Sequence, residues 1–331
     1  MLRFTNEQEL AVNAAREGFN QTQVALAVNH RDIVGNASVI PLDAWRRIDQ
    51  RTVQIQRDVL GVFNRLARAN STPVSIGDLV NYFPKVSDSG EVHVSMDGRS
   101  EGKADQALVT YEGTPVPIFD AYARFGWRQM AVMQKGPAGI DTTTIANNVR
   151  KIAERMENMA LNGEAGISVA GTQIYGLRNF PLRNTAVTGI TLQGATGANW
   201  LAVFQALIFQ LLGDNNFGRV TVFLNYTDYT YADINEFVAG YPKTILQRLL
   251  EIKGIAEIIP VSRVPADEVI GISDIDTSDW GTVLNAMPLV TRPKARHNPE
   301  DDYTFGTMAA AATQLKSDFD GRCPIAHLTR A

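Results

Sequence analysis

The sequence has one cysteine and no long apolar run, and both absences limit what the chain can be. Cys323 stands alone among 331 residues, which excludes an internal disulfide and a zinc site built from several cysteines. No stretch of about 18 consecutive apolar residues occurs, so the sequence predicts no membrane-spanning helix. The first residues lack the apolar core of a signal peptide. We therefore expect a product of a reducing cytosol that works as a soluble assembly.

Basic residues are not in excess. The chain has 31 lysines and arginines against 35 acidic residues, a net charge of −4. Proteins that bind nucleic acid through phosphate contacts usually have a basic excess or a basic stripe, and the linear sequence shows neither. We therefore expect no tight, sequence-reading DNA binding. With 45% hydrophobic residues the chain can build a core, and its length favours about two domains.

Catalytic motifs are also missing. No GxSxG and no GxGxxG occurs, and the acidic group Asp274, Asp276 and Asp279 lacks the offsets of a calcium-binding EF-hand. The histidines are scattered singly, without the paired spacing of metal ligands; they are His30, His93, His297 and His327. The sequence therefore predicts no enzyme, no cofactor and no bound metal.

The N-terminal third contains two segments with unusual patterns. Residues 1–40 are mostly polar and small, so we expect an arm that a neighbouring chain orders; the alternative is a short helix docked on its own domain. Residues 41–75 are expected to form a helix capped by Asp43 and stopped at Asn70-Ser71-Thr72-Pro73.

In the segment 76–118, a long polar stretch separates two short strand patterns, 79–83 and 116–119. Connections of this length are uncommon inside a domain. Asp97-Gly98, near its centre, is a good hairpin tip. The pattern predicts a two-stranded arm that extends from the body. Because an isolated hairpin is marginal in water, the arm needs a partner surface.

A strand is predicted over 119–133 and a long amphipathic helix over 142–162. The apolar stripe of that helix contains Ile145, Val149, Ile152, Met156 and Met159, and Asn162-Gly163 is its stop signal. The opposite face is polar and expected to be exposed; it carries Arg150, Lys151, Glu154, Arg155 and Glu157. A glycine-rich hairpin is predicted over 163–179.

Alternating buried helices and strands make residues 198–284 an α/β unit. Strands are predicted again at 285–292, 303–312 and 323–328. With no long helix at the end of the chain, we expect these strands to pair back onto those of the first domain.

This order of elements resembles the major capsid protein of tailed bacteriophages, with the Hong Kong 97-like fold that encapsulin shells also use. The resemblance runs from about residue 41 to the end. It rests on the order of elements and on local runs at 120–127 (Asp-Ala-Tyr-Ala-Arg-Phe-Gly-Trp) and 174–179 (Ile-Tyr-Gly-Leu-Arg-Asn), with helix 142–162 between them.

The resemblance implies an α+β fold with family-specific parts. These are an N-terminal arm (1–40), an N-terminal helix (41–75), an extended β-hairpin loop (76–118), a peripheral domain (119–197) with a spine helix (142–162), an α/β axial domain (198–284), and return strands of the peripheral domain (285–331).

The resemblance also implies a function. Hexamers and pentamers would close into an icosahedral shell around packaged double-stranded DNA, as the capsid of a virion assembled in the bacterial cytoplasm. The implied partners are a separate scaffolding protein, a portal and a decoration protein, with no membrane. Intersubunit contacts are expected at the exposed face of the spine helix and in the extended loop, at Asp97, Gly98, Arg99, Glu101 and Lys103.

Two other functions stay open from the sequence. One is an encapsulin-like compartment of the same fold that holds cargo enzymes. The other is an α/β enzyme in which the polar loop 84–115 covers a site as a lid.

Overall fold

The computed structural model describes residues 61–90, 106–135, 143–240 and 242–330, with the single positions 21, 92, 94 and 96. The predicted N-terminal arm, most of the helix at 41–75 and the tip of the extended loop lie outside the described residues. The chain divides into two compact units. Unit 1 comprises residues 1–79, 116–159 and 283–312, and unit 2 comprises 80–115, 160–282 and 313–331.

In the described residues the helices are α1 (Val62–Ala69), α2 (Trp127–Lys135), α3 (Thr143–Asn162), α4 (Gly197–Gly213), α5 (Tyr226–Ile234) and α6 (Ile245–Leu250). The strands are β1 (Ser71–Pro73), β2 (Val80–Val86), β3 (Val109–Pro115), β4 (Ile118–Phe125), β5 (Glu164–Val169), β6 (Thr172–Ile174), β7 (Asn184–Val187), β8 (Val220–Asn225), β9 (Ile255–Val261), β10 (Val269–Ser273), β11 (Gly281–Pro293), β12 (Tyr303–Leu315) and β13 (Ile325–Thr329).

Unit 1 contains most of a four-stranded sheet with the order β1-β11-β12-β4. Strand β4 is antiparallel to β12, from Tyr303 opposite Phe125 to Ala310 opposite Ile118. Side chains alternate along β4, so that Ala123 and Phe125 enter a small core while Tyr122 stays exposed. The strands predicted at 285–292 and 303–312 thus do pair with strands of the first domain.

The strand predicted over 119–133 ends earlier than expected. It stops at Phe125, and α2 begins at Trp127, where the Met130 backbone N–H donates to the Gly126 carbonyl at 2.9 Å. Met130 is buried in the same core as Phe125. A helical turn, rather than further alternation, therefore brings this side chain to the core.

The helix predicted at 142–162 is α3, and its apolar stripe is buried as expected. Short α1 buries Val62, Phe63 and Leu66 and ends at Ala69, next to the predicted stop at Asn70. The residues after that stop form β1, which runs parallel to β11.

Unit 2 is built on a five-stranded sheet with the order β7-β13-β10-β8-β9. Strand β8 lies between β10 and β9 and is buried along almost its whole length, as its apolar sequence predicts. Helices α4, α5 and α6 pack on this sheet around a core with Trp200, Phe204 and Leu207.

One strand assignment from the sequence was wrong. We expected 323–328 to return to the sheet of the first domain, but β13 pairs with β10 and β7 in the sheet of unit 2. Residues from Ile325 to Leu328 are all buried there. An apolar run of this kind fits the middle of either sheet, so its composition could not choose between them.

Candidate assembly surfaces

The base of the extended loop is a regular hairpin with two different faces. Strands β2 and β3 form an antiparallel ladder from Val80 opposite Pro115 to Val86 opposite Val109. The second strand is therefore 109–115, and not the 116–119 run that the sequence indicated, part of which belongs to β4. Residues directly opposite each other point to the same side, so the pairing sorts the side chains into two faces.

One face of the hairpin is fixed to its own unit. Phe83 is buried, and the Lys85 ammonium lies 2.6 Å from the Ser317 hydroxyl and 2.5 Å from a carboxylate oxygen of Glu112. Asn81 and Gln314 are joined twice. The Asn81 amide donates to the Gln314 side-chain oxygen at 3.2 Å, and the Gln314 amide donates to the Asn81 carbonyl at 3.0 Å. We call this the docked face.

The other face is apolar and open to solvent. Cross-strand pairing places Tyr82, Pro84, Val86, Val109 and Tyr111 on it, and all five are exposed. Gly113 stands opposite Tyr82, and a Cβ at Gly113 would lie 2.7 Å from the Tyr82 ring, so the glycine allows that ring to lie across the strand. We call these five side chains the open face.

The polar face of α3 is exposed in the structure except at Glu157. Arg150, Lys151 and Arg155 are exposed, and Arg150 pairs with partly exposed Glu154 one turn later at 3.1 Å. Glu157 was predicted to be exposed, and this is wrong, since only 1% of it is accessible.

Glu157 is buried because it caps another helix. Its two carboxylate oxygens accept the backbone N–H groups of Val62 at 2.8 Å and Phe63 at 2.9 Å. Gly61, which precedes α1, has no side chain to do so. The first N–H groups of a helix have no partner within it, and a carboxylate is the best acceptor for them.

The end of α3 and the hairpin that follows are held together by glycine and asparagine. Gly163 has φ +69°, and a Cβ there would lie 2.4 Å from the Ile174 carbonyl oxygen. A Cβ on Gly176 would lie 2.5 Å from the Leu161 carbonyl oxygen. Asn179 accepts the Gly176 N–H at 2.6 Å and donates to the Asn162 carbonyl at 2.7 Å. This contact explains why the Gly-Leu-Arg-Asn run follows the helix.

A partly buried group of charged residues around His327 lies in unit 2. Arg178 forms two parallel bonds of 2.8 Å with Glu268, whose carboxylate also lies 3.0 Å from His327 Nε2. Arg183 Nε donates to His327 Nδ1 at 3.4 Å. Because Nδ1 accepts, Nε2 carries the proton and donates to Glu268. The imidazole is therefore neutral in this arrangement.

The pKa values of this group follow from the same contacts. Burial lowers the pKa of His327, and the two guanidinium groups lower it further, against the raising effect of Glu268. Burial alone would raise the pKa of Glu268, but hydrogen bonds from Arg178 and His327 bring it below its usual range. Arg178 also reaches the side-chain oxygen of Asn162, so the group ties the end of α3 to the sheet of unit 2.

Other predicted features bear little on a site. Asp97, Gly98, Arg99, Glu101 and Lys103 lie outside the described residues. Cys323 is buried, and burial raises the pKa of its thiol to about 12, which makes it a poor nucleophile. The described residues hold no group of three His, Cys, Asp or Glu side chains that could bind a metal ion. None of the helices in the described part of the chain is long and apolar enough to cross a membrane.

Comparison with protein families gives a match over almost the whole chain. The model for a family of unknown function, DUF6260, matches residues 35–328. The chain belongs to this family. No curated protein matches its sequence.

Solved structures similar to this DUF6260 member include a phage capsid and a virus-like particle. The capsid of Myoviridae phage XM1 has a TM-score of 0.62 and 13% identity, over 80% of this chain and 90% of that one. A virus-like particle from Pyrococcus furiosus has a TM-score of 0.57 and 14% identity, over 86% and 99%. The Mycobacterium phage Cain structure has a TM-score of 0.55 and 10% identity, over 80% and 89%. The chain therefore has the mixed α/β, Hong Kong 97-like fold of capsid proteins, and the resemblance inferred from its sequence is confirmed.

The open face is the candidate surface that sequence reasoning missed. The loop was interpreted as poor in apolar residues, whereas its base presents five apolar side chains on one side. The signal was present in the alternation Tyr82-Phe83-Pro84-Lys85-Val86. It could be interpreted only once the pairing with β3 was known, because the sequence does not say which side of β2 the body covers.

Proposed function

We propose that this protein is the structural subunit of a capsid shell. It self-assembles into hexamers and pentamers of an icosahedral shell that encloses packaged double-stranded DNA, in a virion assembled in the cytoplasm of a host bacterium. The fold supports this proposal, and the observation that carries it is the open face of the hairpin.

The open face needs a partner. A contiguous apolar surface of this kind on a soluble monomer is unusual and marks an interaction site. Tyr111 is 71% exposed and Val86 54% exposed, although they lie on a regular ladder. Burying aromatic and aliphatic side chains contributes roughly 25 cal/mol per Å² of apolar surface, so this face can supply several kcal/mol per contact. We assign its occupant as a neighbouring copy of the same chain.

The remaining contacts of the shell are proposed on the same basis. The extended-loop residues Asp97 to Lys103 and the exposed face of α3, with Arg150, Lys151, Glu154 and Arg155, contact neighbouring subunits. A separate scaffolding protein, a portal and a decoration protein complete the assembly. The role is structural, without catalysis.

Electron microscopy of the purified full chain tests the proposal. We expect ring-shaped capsomers or closed shells from the wild type. Tyr111→Ser with Val86→Ser should fold but assemble poorly, whereas Thr110→Ala, on the same strand and pointing to the other side, should assemble normally. A monodisperse wild-type monomer whose hairpin responds to a ligand would instead favour an enzyme with a lid.

A second candidate is an encapsulin-like compartment. The likeness to the virus-like particle from Pyrococcus furiosus covers 99% of that chain, so this chain contains nearly all of that shell protein's fold. The two candidate shells differ in what they enclose and in what they need to assemble. Shells that carry a cargo enzyme when expressed without other phage proteins favour the compartment, whereas shells that require a scaffolding partner favour the capsid.

A further inference from the structure

Three cationic side chains from distant parts of the sequence meet on one side of the sheet in unit 1. The Lys294 N–H donates to the Thr304 carbonyl at 2.8 Å, and Thr304 stands opposite Arg124. These three residues therefore form one row, from β4 across β12 to the residue that follows β11. In the next row Gly306 stands opposite Tyr122. Arg292 lies beyond Gly306, with its carbonyl oxygen 3.9 Å from the position of a Gly306 Cβ.

These rows lie on the solvent-exposed side of the sheet. Tyr122, Arg124 and Lys294 are exposed, whereas Ala123 and Phe305, on the other side, are buried. Directly opposite residues on neighbouring strands point to the same side. We call the surface made by Arg124, Arg292, Lys294 and Tyr122 the cationic face.

Tyr122 fixes one of these cations in place. Because Gly306 has no side chain, the Tyr122 ring lies across it, 3.1 Å from where a Cβ would be. The ring thereby reaches toward β11, where the Lys294 ammonium lies 4.0 Å from its centroid. A cation over an aromatic face is held electrostatically while its outward N–H groups stay available.

The cations on this face have no carboxylate partner among the described residues. In the described part of the chain no acidic side chain pairs with Arg124, Arg292 or Lys294. Arg292 is the clearest case, because its Nε–H is buried without a hydrogen-bond partner and its Nη2 has only the Met287 sulfur at 3.8 Å. The exposed Arg124 guanidinium and Lys294 ammonium are the groups that an anion can reach, and their N–H groups can donate to it.

The spacing suits a phosphodiester backbone. Arg124 and Lys294 lie on either side of Thr304, which separates their backbones by about 10 Å, and Arg292 and Lys294 lie two residues apart in extended chain, about 7 Å. The distances between phosphates across the grooves of DNA are of this order, because the minor groove is about 6 Å wide and the major groove about 12 Å. The cations lie on the exposed side of a β-sheet, and contacts from them to phosphates do not depend on base sequence.

We propose that the cationic face binds the phosphate backbone of double-stranded DNA and lines the inside of the shell. This assignment rests on the proposed function, and it adds which surface of the subunit faces the packaged nucleic acid. The acidic chain as a whole repels DNA, so this local surface provides weak contacts that depend strongly on salt.

The test measures how the affinity of unassembled full-length subunits for DNA depends on salt, because a closed shell would keep added DNA away from its inner surface. The probe is a fluorescent duplex of about 30 base pairs in about 50–200 mM NaCl, read by anisotropy. Each phosphate contact contributes about 0.9 to the slope of log Kobs against log salt, so Arg124→Ala with Lys294→Ala should lower that slope by about 2. The control Lys253→Ala with Arg322→Ala removes the same charge from exposed positions in unit 2 and should leave the slope nearly unchanged.

A variant that is expected to strengthen DNA binding distinguishes a direct effect from a loss of folding. Asp120 stands on the same side as Tyr122, one row further along β4, and is exposed. Asp120→Asn removes a negative charge beside the phosphates, so it should strengthen binding a few-fold. A structural defect would not produce a gain.

The outcomes separate this proposal from the proposed function. An unchanged slope in the Arg124/Lys294 variant, or an equal loss in the control, overturns the DNA assignment. If that variant stops shells from forming but keeps the wild-type slope, the face binds an acidic segment of another subunit and the assignment is wrong. If the wild type forms no shells but shows the predicted slopes, the capsid function fails while the DNA-binding surface is supported.

Discussion

Replacing Glu157 should destabilise unit 1 far more than its place on a helix surface suggests. Its carboxylate accepts two backbone N–H groups, from Val62 and Phe63, and is itself buried. Glu157→Ala leaves both donors without an acceptor. Each buried unsatisfied group costs about 1–3 kcal/mol, and one carboxylate serves both, so we expect a loss of roughly 3–4 kcal/mol.

Glu157→Gln separates the two hydrogen bonds. The amide keeps one accepting oxygen but turns an N–H₂ group toward the second backbone N–H. We therefore expect about half the loss of the alanine variant, roughly 2 kcal/mol. The matched control is Glu154→Gln, nearly one turn away on the same helix, which removes the charge that pairs with Arg150. Pairs of this kind contribute about 0.2–0.5 kcal/mol.

Hydrogen exchange and urea denaturation together measure this effect. Two units need not unfold together, so a global transition alone would be ambiguous. Amide exchange in α1 reports the local loss directly, and the midpoint in urea reports the effect on the chain. If α1 amides exchange no faster in Glu157→Ala than in the Glu154 control, the capping role is refuted.

Two further substitutions test the turn after α3 and the buried histidine. Gly176→Ala places a Cβ 2.5 Å from the Leu161 carbonyl oxygen and should lower the thermal midpoint by many degrees. The control Gly213→Ala, where a Cβ would have nothing within 4 Å, should leave the midpoint unchanged. Equal midpoints for the two variants would contradict the close packing at Gly176. The His327 pKa is lowered by burial from 6.5, so the unfolded chain takes up the proton first and stability falls as pH drops below about 6.5. His327→Gln should flatten that decline in a series of urea midpoints against pH, and an unchanged slope would show that His327 does not cause it.

The sequence predicted those parts of the fold that depend on local patterns. Helix α3 was predictable because its stripe repeats over five turns and ends in a glycine signal, and β8 because its apolar run is short and rich in β-branched and aromatic residues, which favours a buried strand. The sequence did not predict which strands pair or in which register. Nothing in Ile325–Thr329 distinguishes the two sheets, and the register of β2 with β3 decides which side chains form the open face.

The candidate surfaces were harder to predict because they join distant residues. Glu157 fits the polar side of α3 by spacing, and only the position of α1, 95 residues away in sequence, makes it a buried cap. The cationic face is a similar case. The linear sequence shows no basic stripe, whereas Arg124 and Lys294 lie in one row of the sheet surface although 170 positions separate them.

Because the hairpin has a docked face and an open face, different substitutions should disturb its rigidity and its contacts with other subunits. Lys85 holds the docked face through Ser317 and Glu112, and little of its side chain is exposed. Lys85→Met keeps the length of the side chain but leaves those two partners without the ammonium. We expect faster amide exchange along β2 and β3, and therefore also poor assembly, because a loosened hairpin presents no fixed surface.

The open-face substitution should behave differently. Tyr111→Ser removes a side chain that already faces solvent, so exchange along the hairpin and the stability of the subunit should stay close to those of the wild type. Assembly alone should require a higher protein concentration, by about tenfold for each 1.4 kcal/mol lost per contact. If Tyr111→Ser loosens the hairpin as much as Lys85→Met does, the open face contributes to the fold of the subunit, and the surface that joins the subunits must lie elsewhere.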